Sequence, residues 1–187
     1  MTPAQLISRI KEIGIDATVE EMLYTQTVAA CENAERYRDF RQKVAIAYPN
    51  GEHVFIAGSG NWGFSLHPDK NLRPFGDHSD IDVGVIHEGC FHASWEELQK
   101  YHRLFFYRLP RPAKDALRRS GENVYSGFVS PAWKPDAGNN FRFQHSKILN
   151  ALSSHLIGFK PVKMLFFRNR VEALDYYKRG IVKLQKS

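Results

Sequence analysis

His53-Val54-Phe55-Ile56-Ala57-Gly58-Ser59-Gly60, followed downstream by Ser79-Asp80-Ile81-Asp82-Val83-Gly84-Val85-Ile86, is the part of the chain that decides the fold. Residues 53–57 are a short apolar run that reads as a buried strand and flows into glycines. The second run, from Asp80 to Ile86, reads as a second strand. Residues two apart on a strand project to the same face, so Asp80 and Asp82 stand side by side. Two such carboxylates are close enough to share one or two divalent cations. Left unpaired they repel, and one pKa rises. Their hard oxygens suit Mg²⁺ or Mn²⁺ rather than a thiolate-seeking metal. Glycines after a strand let backbone N–H groups approach phosphate oxygens, and the Ser59 hydroxyl can donate as well. Each feature alone has a plainer reading, a polar strand end or a common turn. Together in one short region they are far more specific.

Working outward, the flanking sequence predicts helices and two further strands. Thr2 and Pro3 suit the N-cap and first position of a helix over 3–13, stopped by Gly14. A longer helix is predicted from Val19 to Ala47, with Met22, Leu23, Val28, Ala29, Tyr37, Phe40, Val44 and Ala45 as core contacts. Ser94 and Glu97 match a capping box for a helix over 95–107, with Trp95, Leu98, Leu104 and Phe105 on one side. Pro110 and Pro112 break the chain before a short basic helix over 113–119. Strands are expected over Asn123–Val129 and Val162–Phe167, with helices over 141–157 and 171–185. Leu174, Tyr177, Ile181 and Leu184 form the apolar stripe of the last helix. The implied fold class is α+β: a mixed central β-sheet of about four strands flanked by helices. Residues 1–187 read as a single domain in which 1–50 form an N-terminal helical part.

The chain has 187 residues, 43% of them apolar and 25% charged, which is globular composition rather than a disordered one. No apolar run approaches the roughly 18 residues that span a bilayer, so no membrane partner is expected. The N-terminus carries Glu12 and no apolar core of a signal peptide, so a cytoplasmic location is expected. The two cysteines, Cys31 and Cys90, then read as free thiols. Charge is unevenly divided. Residues 1–97 hold 8 basic and 15 acidic side chains, whereas 98–187 hold 18 basic and 5 acidic. An acidic front suits cations, and a basic back suits polyphosphate or nucleic acid.

Ile56-Ala57-Gly58-Ser59 followed by Ser79-Asp80-Ile81-Asp82-Val83-Gly84-Val85-Ile86 resembles the fingerprint of the DNA polymerase beta-like nucleotidyltransferase superfamily. The resemblance is clearest over about residues 53–87, and it most resembles small stand-alone bacterial members, some found in defence or toxin–antitoxin settings. It implies the nucleotidyltransferase fold. It implies that Asp80 and Asp82 are the catalytic, metal-binding residues for Mg²⁺ (or Mn²⁺). It implies that Gly58 and Ser59, with Gly60 beside them, hold a nucleoside triphosphate. The implied reaction moves a nucleoside monophosphate to a nucleic acid end, a nucleotide or a protein hydroxyl. The sequence departs from the family pattern twice. The step from Ser59 to Asp80 is 21 residues rather than about a dozen. Its extra loop, Ser65 to Phe75, carries His67, Asp69, Lys70 and Arg73 and could cover the site. Neither later predicted strand carries the usual third carboxylate, and Glu88, Glu122 and Asp136 are the nearest substitutes by sequence.

Other side chains fit less sharply. Lys160, Lys163, Arg168 and Arg170 flank or lie in the last strand, and Arg118 and Arg119 precede the one before it. Any of them could meet an anion, although solubility explains each one equally simply. Phe141, Phe143, Phe166, Phe167, Tyr176 and Tyr177 could stack on bases or pack the core. His78 could orient the site or serve as a base, or be an ordinary loop histidine. The missing acid motivates a rival: a catalytically weak nucleotide-binding regulator or antitoxin-like partner, with Tyr37, Phe40 and Val44 at a partner-protein or homo-oligomer interface. A plain basic nucleic-acid binder explains the charge but not the aspartate pair.

Overall fold

The computed structural model describes residues 1–66, 68–135 and 140–185, so His67 and Asp136 lie outside the described residues. Among the described residues the chain forms seven α-helices and a four-stranded mixed sheet, the expected α+β class. Helix α1 (Pro3–Tyr24) opens on a reciprocal cap. Thr2 Oγ1 accepts from the Gln5 N–H at 3.2 Å, and the Thr2 N–H donates to Gln5 Oε1 at 2.7 Å. Gly14, at φ 83°, kinks the helix rather than ending it.

The predicted helix from Val19 to Ala47 is two helices. The first part belongs to α1, and α2 (Ala34–Ala47) starts afresh at Asn33, whose side chain accepts from the Arg36 N–H. Between them the backbone is held elsewhere in the fold. The Ala29 and Ala30 N–H groups donate to the Asn61 and Gly60 carbonyls at 3.2 and 2.7 Å. Those bonds replace the ones a continuous helix would make. Tyr37, Phe40 and Val44 are fully buried, which removes them from any docking surface, while Ala29 and Ala45 are exposed.

Strand β1 (His53–Ala57) runs straight into the short helix α3 (Gly58–Trp62). Strand β2 is Ile81–Ile86. Helix α4 is Glu88–Phe105, with His87 as its N-cap. Ser94 lies inside this helix and donates to the Cys90 carbonyl at 2.7 Å, so it caps nothing. Of the expected apolar side of α4, Leu98 is buried but Trp95, Leu104 and Phe105 are exposed. Helix α5 (Arg111–Tyr125) is longer than expected and consumes most of the predicted third strand, leaving β3 as Phe128–Val129. Helix α6 is Asn140–Leu152, followed by a short 3₁₀ turn at His155–Ile157. Strand β4 (Val162–Phe167) and helix α7 (Arg170–Gln185) complete the chain. The Leu184 side chain lies outside the described residues.

The sheet order is β1-β2-β4-β3, with β2 and β4 parallel and both outer strands antiparallel to their neighbours. Side chains alternate between two cores. One holds Val54, Ile56, Val83, Val85 and Phe166 with residues of α2, α4 and α5. The other holds Phe55, Ala57, Ile86 and Phe167 with residues of α1 and α7. No helix among the described residues is long and apolar enough to cross a membrane. Both cysteines are free thiols, and burial pushes each up to about 11.

His145 of α6 is nearly inaccessible; its Nδ1 pairs with the Tyr48 hydroxyl at 2.7 Å, and its Nε2 has no partner among the described residues. Burial pushes its pKa down to about 4. The unfolded chain therefore takes up this proton first on acidification, and stability from His145 is lost as pH falls from 6.5 towards 4. Urea unfolding should show about 2 kcal/mol less stability at pH 5 than at pH 7.5 from this group. His145→Leu should flatten that part of the slope.

Candidate functional site

Antiparallel pairing places Ala57, the last residue of β1, opposite Asp82 in β2. The glycine turn that follows β1 therefore meets, at one rim of the sheet, Asp82 at the start of β2 and Asp80 just before that strand. Gly58 takes φ +57°, and a Cβ built on it would lie 3.0 Å from Asp82 Oδ2. A side chain there would crowd the carboxylate, and a left-handed backbone disfavours one in any case. The N-cap of α3 is Ala57, which has no side-chain acceptor to cap it, and among the described residues no side-chain cap is made to its leading N–H groups.

Two adjoining hollows of about 580 and 520 Å³ meet at this rim, sharing Gly58, Asp82, Tyr176 and Tyr177. The second also takes in Ser59, Asp80 and Lys70. The expected pair of acids and two of the three expected turn residues thus border one cleft. Gly60 is turned the other way: it is buried, and a Cβ there would lie 3.0 Å from Ile56 Cγ2 and 3.4 Å from Ala30 Cβ. Its role is packing against the α1–α2 connection.

Lys163 of β4 stands opposite Asp82 in the strand register and forms an ion pair with Asp80. Partial burial alone would raise the Asp80 carboxyl. The Lys163 hydrogen bond and charge, helped by Lys70, outweigh it and hold the group below its ordinary value. Asp82 is exposed by surface area, yet enough protein surrounds it that desolvation is the largest influence on its acidity. Desolvation and the neighbouring Asp80 charge lift it to about 6, against the opposing pull of Lys163 and Lys70. The two carboxylates thus divide into one neutralised by a lysine and one left under-compensated. Burial also raises the Tyr176 and Tyr177 hydroxyls, with Asp82 adding to both, so they stay neutral.

The long connection between β1 and β2 folds back on itself. Phe64 and Pro74 form a bridge, the Ser65 N–H donates to the Arg73 carbonyl, and the Phe75 N–H donates to the Gly63 carbonyl, each bond 2.9 Å. Ser65, Leu66 and Lys70 line the second hollow, so this loop does form part of the cleft wall. His78 is exposed in the turn before Asp80.

The two candidate third acids among the described residues, Glu88 and Glu122, do not join the pair. Glu88 lies past the far end of β2 and pairs with His92, and Glu122 lies within α5. Among the described residues no third Asp, Glu, His or Cys completes a metal-binding group. Most of the basic candidates are engaged. Lys160 donates to the Gly76 carbonyl at 2.7 Å, Arg168 pairs with Glu172, Arg170 with Glu20, and Arg118 with Asp115. Phe166 and Phe167 are core residues, Phe143 is exposed away from the cleft lining, and Tyr176 and Tyr177 are at the cleft. Lys163, expected only as one of several possible anion contacts, is instead the partner of Asp80, a role sequence reasoning missed. Its signal was a register between β2 and β4, which no local pattern carries.

No family model, no curated protein and no solved structure matches this chain.

Proposed function

We propose that the protein is a divalent-metal-dependent nucleotidyltransferase with a nucleotidyltransferase-type fold. The observation that carries this reading is the close approach of the Gly58 turn to Asp82, with Asp80 in the same cleft. The donor set fits Mg²⁺ or Mn²⁺: two hard carboxylates, one of them under-neutralised, beside the Ser59 hydroxyl. When bound, such an ion neutralises triphosphate charge and lowers the pKa of an acceptor hydroxyl.

The chain's own residues supply the rest. Gly58 and Ser59 hold the phosphates, and Lys70 in the wall of the same hollow adds positive charge. Tyr176 and Tyr177 offer aromatic surface to the nucleoside. The acceptor oxygen attacks the α-phosphorus, the bond to the β-phosphate oxygen breaks, and pyrophosphate leaves. The hydroxyl proton passes to an Asp82 carboxylate oxygen. The test is incubation with each labelled nucleoside triphosphate, Mg²⁺ or Mn²⁺ and a mixed acceptor pool. Labelled product with matching pyrophosphate is expected, and its loss on chelation with EDTA.

A second reading rests on Lys163. Lys163 occupies the strand position opposite Asp82, and its ammonium already neutralises Asp80, as a bound cation would. A nucleotide-binding regulator without efficient turnover needs no more than this. Nucleotide binding with no product, for any base and either metal, selects that reading.

A further inference from the structure

Helices α4 and α5, joined through residues 106–110, form a hairpin. Trp95, Leu98 and His102 of α4 share a groove with Leu117, Ser120 and Val124 of α5. The part of the hairpin from Lys100 to Arg119 holds seven lysines and arginines against one carboxylate, Asp115. The rest of the chain holds equal numbers of each sign, so this segment carries the whole formal charge of +6.

The geometry points to this hairpin as the binding surface for a single-stranded nucleic acid that leads its end towards the Asp80–Asp82 cleft. The inference rests on the transferase reading and names its acceptor class. Five of the seven cations are arginines, whose planar forks pair with phosphate and stack on bases. Arg103, Arg108 and Arg119 are exposed and have no carboxylate partner among the described residues. Arg118 and Lys114 lie over the Phe106 ring, at 5.3 and 5.9 Å from its centre, which fixes two charges on the hairpin surface. Tyr107, at the turn between the helices, is 88% exposed and meets the Phe106 ring edge-on at 5.5 Å. An exposed aromatic among unpaired arginines is the combination that tracks a strand by charge and stacks its bases.

Helix α5 links the basic segment to the cleft, with Glu122 the one acid between Arg119 and the helix's cleft-lining end. Asn123, near the end of α5, lines the hollow that holds Asp80 and Asp82. Arg111 begins the same helix, about 18 Å away at 1.5 Å per residue. That span matches about five nucleotides at the roughly 3.4 Å spacing of a stacked strand.

Fluorescence anisotropy tests this with fluorescein-labelled single-stranded RNA and DNA oligonucleotides of mixed sequence, about a dozen nucleotides long, titrated over a range of NaCl concentrations. Binding should weaken steeply with salt. The triple variant Arg108→Ala, Arg111→Ala, Arg119→Ala should bind at least about tenfold more weakly, with a salt slope lower by about 0.7 for each phosphate that is no longer neutralised. Tyr107→Ala, at a site too exposed to disturb folding, should bind about tenfold more weakly at constant salt slope. Unchanged binding in both hairpin variants overturns the inference, as does binding to phosphatidylserine vesicles without binding to oligonucleotides. A wild type that binds oligonucleotide through the hairpin but releases no pyrophosphate overturns the transferase reading alone.

Discussion

Asp82→Asn is expected to lower nucleotide transfer by at least about 100-fold while leaving the fold as stable at pH 7, or more stable. The activity loss follows from removing the under-neutralised carboxylate that lies against the Gly58 turn. The stability result follows from the sign of its titration. Folding raises this carboxyl from 3.8 to about 6, because desolvation and Asp80 oppose its charge. A raised acid contributes a penalty that grows as pH rises through that interval and is fully present at neutrality. Asparagine keeps the shape and removes the charge, so the penalty disappears. Turnover assays and urea unfolding on the same preparation check both halves. A variant that loses activity only because it unfolds would show Asp82 to be a structural residue.

Gly84→Ala should destabilise the protein by about 3 kcal/mol. Gly84 sits mid-strand in β2, opposite Phe55 of β1. A Cβ there would lie 2.2 Å from Phe55 Cζ and 2.5 Å from Cε2. Phe55 is fully buried, stacked near Phe167 and edge-on to Tyr177, so its ring has nowhere to retreat. The double variant Gly84→Ala, Phe55→Leu should be destabilised by less than the sum of the two single changes, because the smaller side chain vacates the space the methyl needs. Additive losses in urea titrations would count against the collision as the cause.

The same site explains what the sequence could and could not show. The runs at 53–57, 81–86 and 162–167 are buried by both cores, so their composition alone marked them as strands. The acids at 80 and 82 and the glycine at 58 were legible for the same reason: strand alternation and a turn are local facts. Other features depend on partners distant in sequence. Nothing between Thr25 and Asn33 forbids a helix, and the break there comes from carbonyls at residues 60 and 61. Ser94 and Glu97 imitate a cap, but His87 starts the helix where β2 ends. Asn123, Val124 and Tyr125 have strand-like neighbours, but the amphipathic α5 continues through them. Lys163 faces the aspartates only because β4 lies parallel beside β2, an ordering no window of sequence contains.

The bridge between Phe64 and Pro74 closes the base of the loop that separates the glycine turn from the aspartates. Its tip turns at Asn71 and Leu72, where Asn71 is exposed while Leu72 packs back against the core of Phe55 and Ile86. Lengthening that tip adds closure entropy that grows only slowly with size. Asn71, exposed at this tip, is thus a place where descendants of this chain can acquire new appendages without shifting the strands, and Lys70 beside it keeps any such addition at the edge of the cleft.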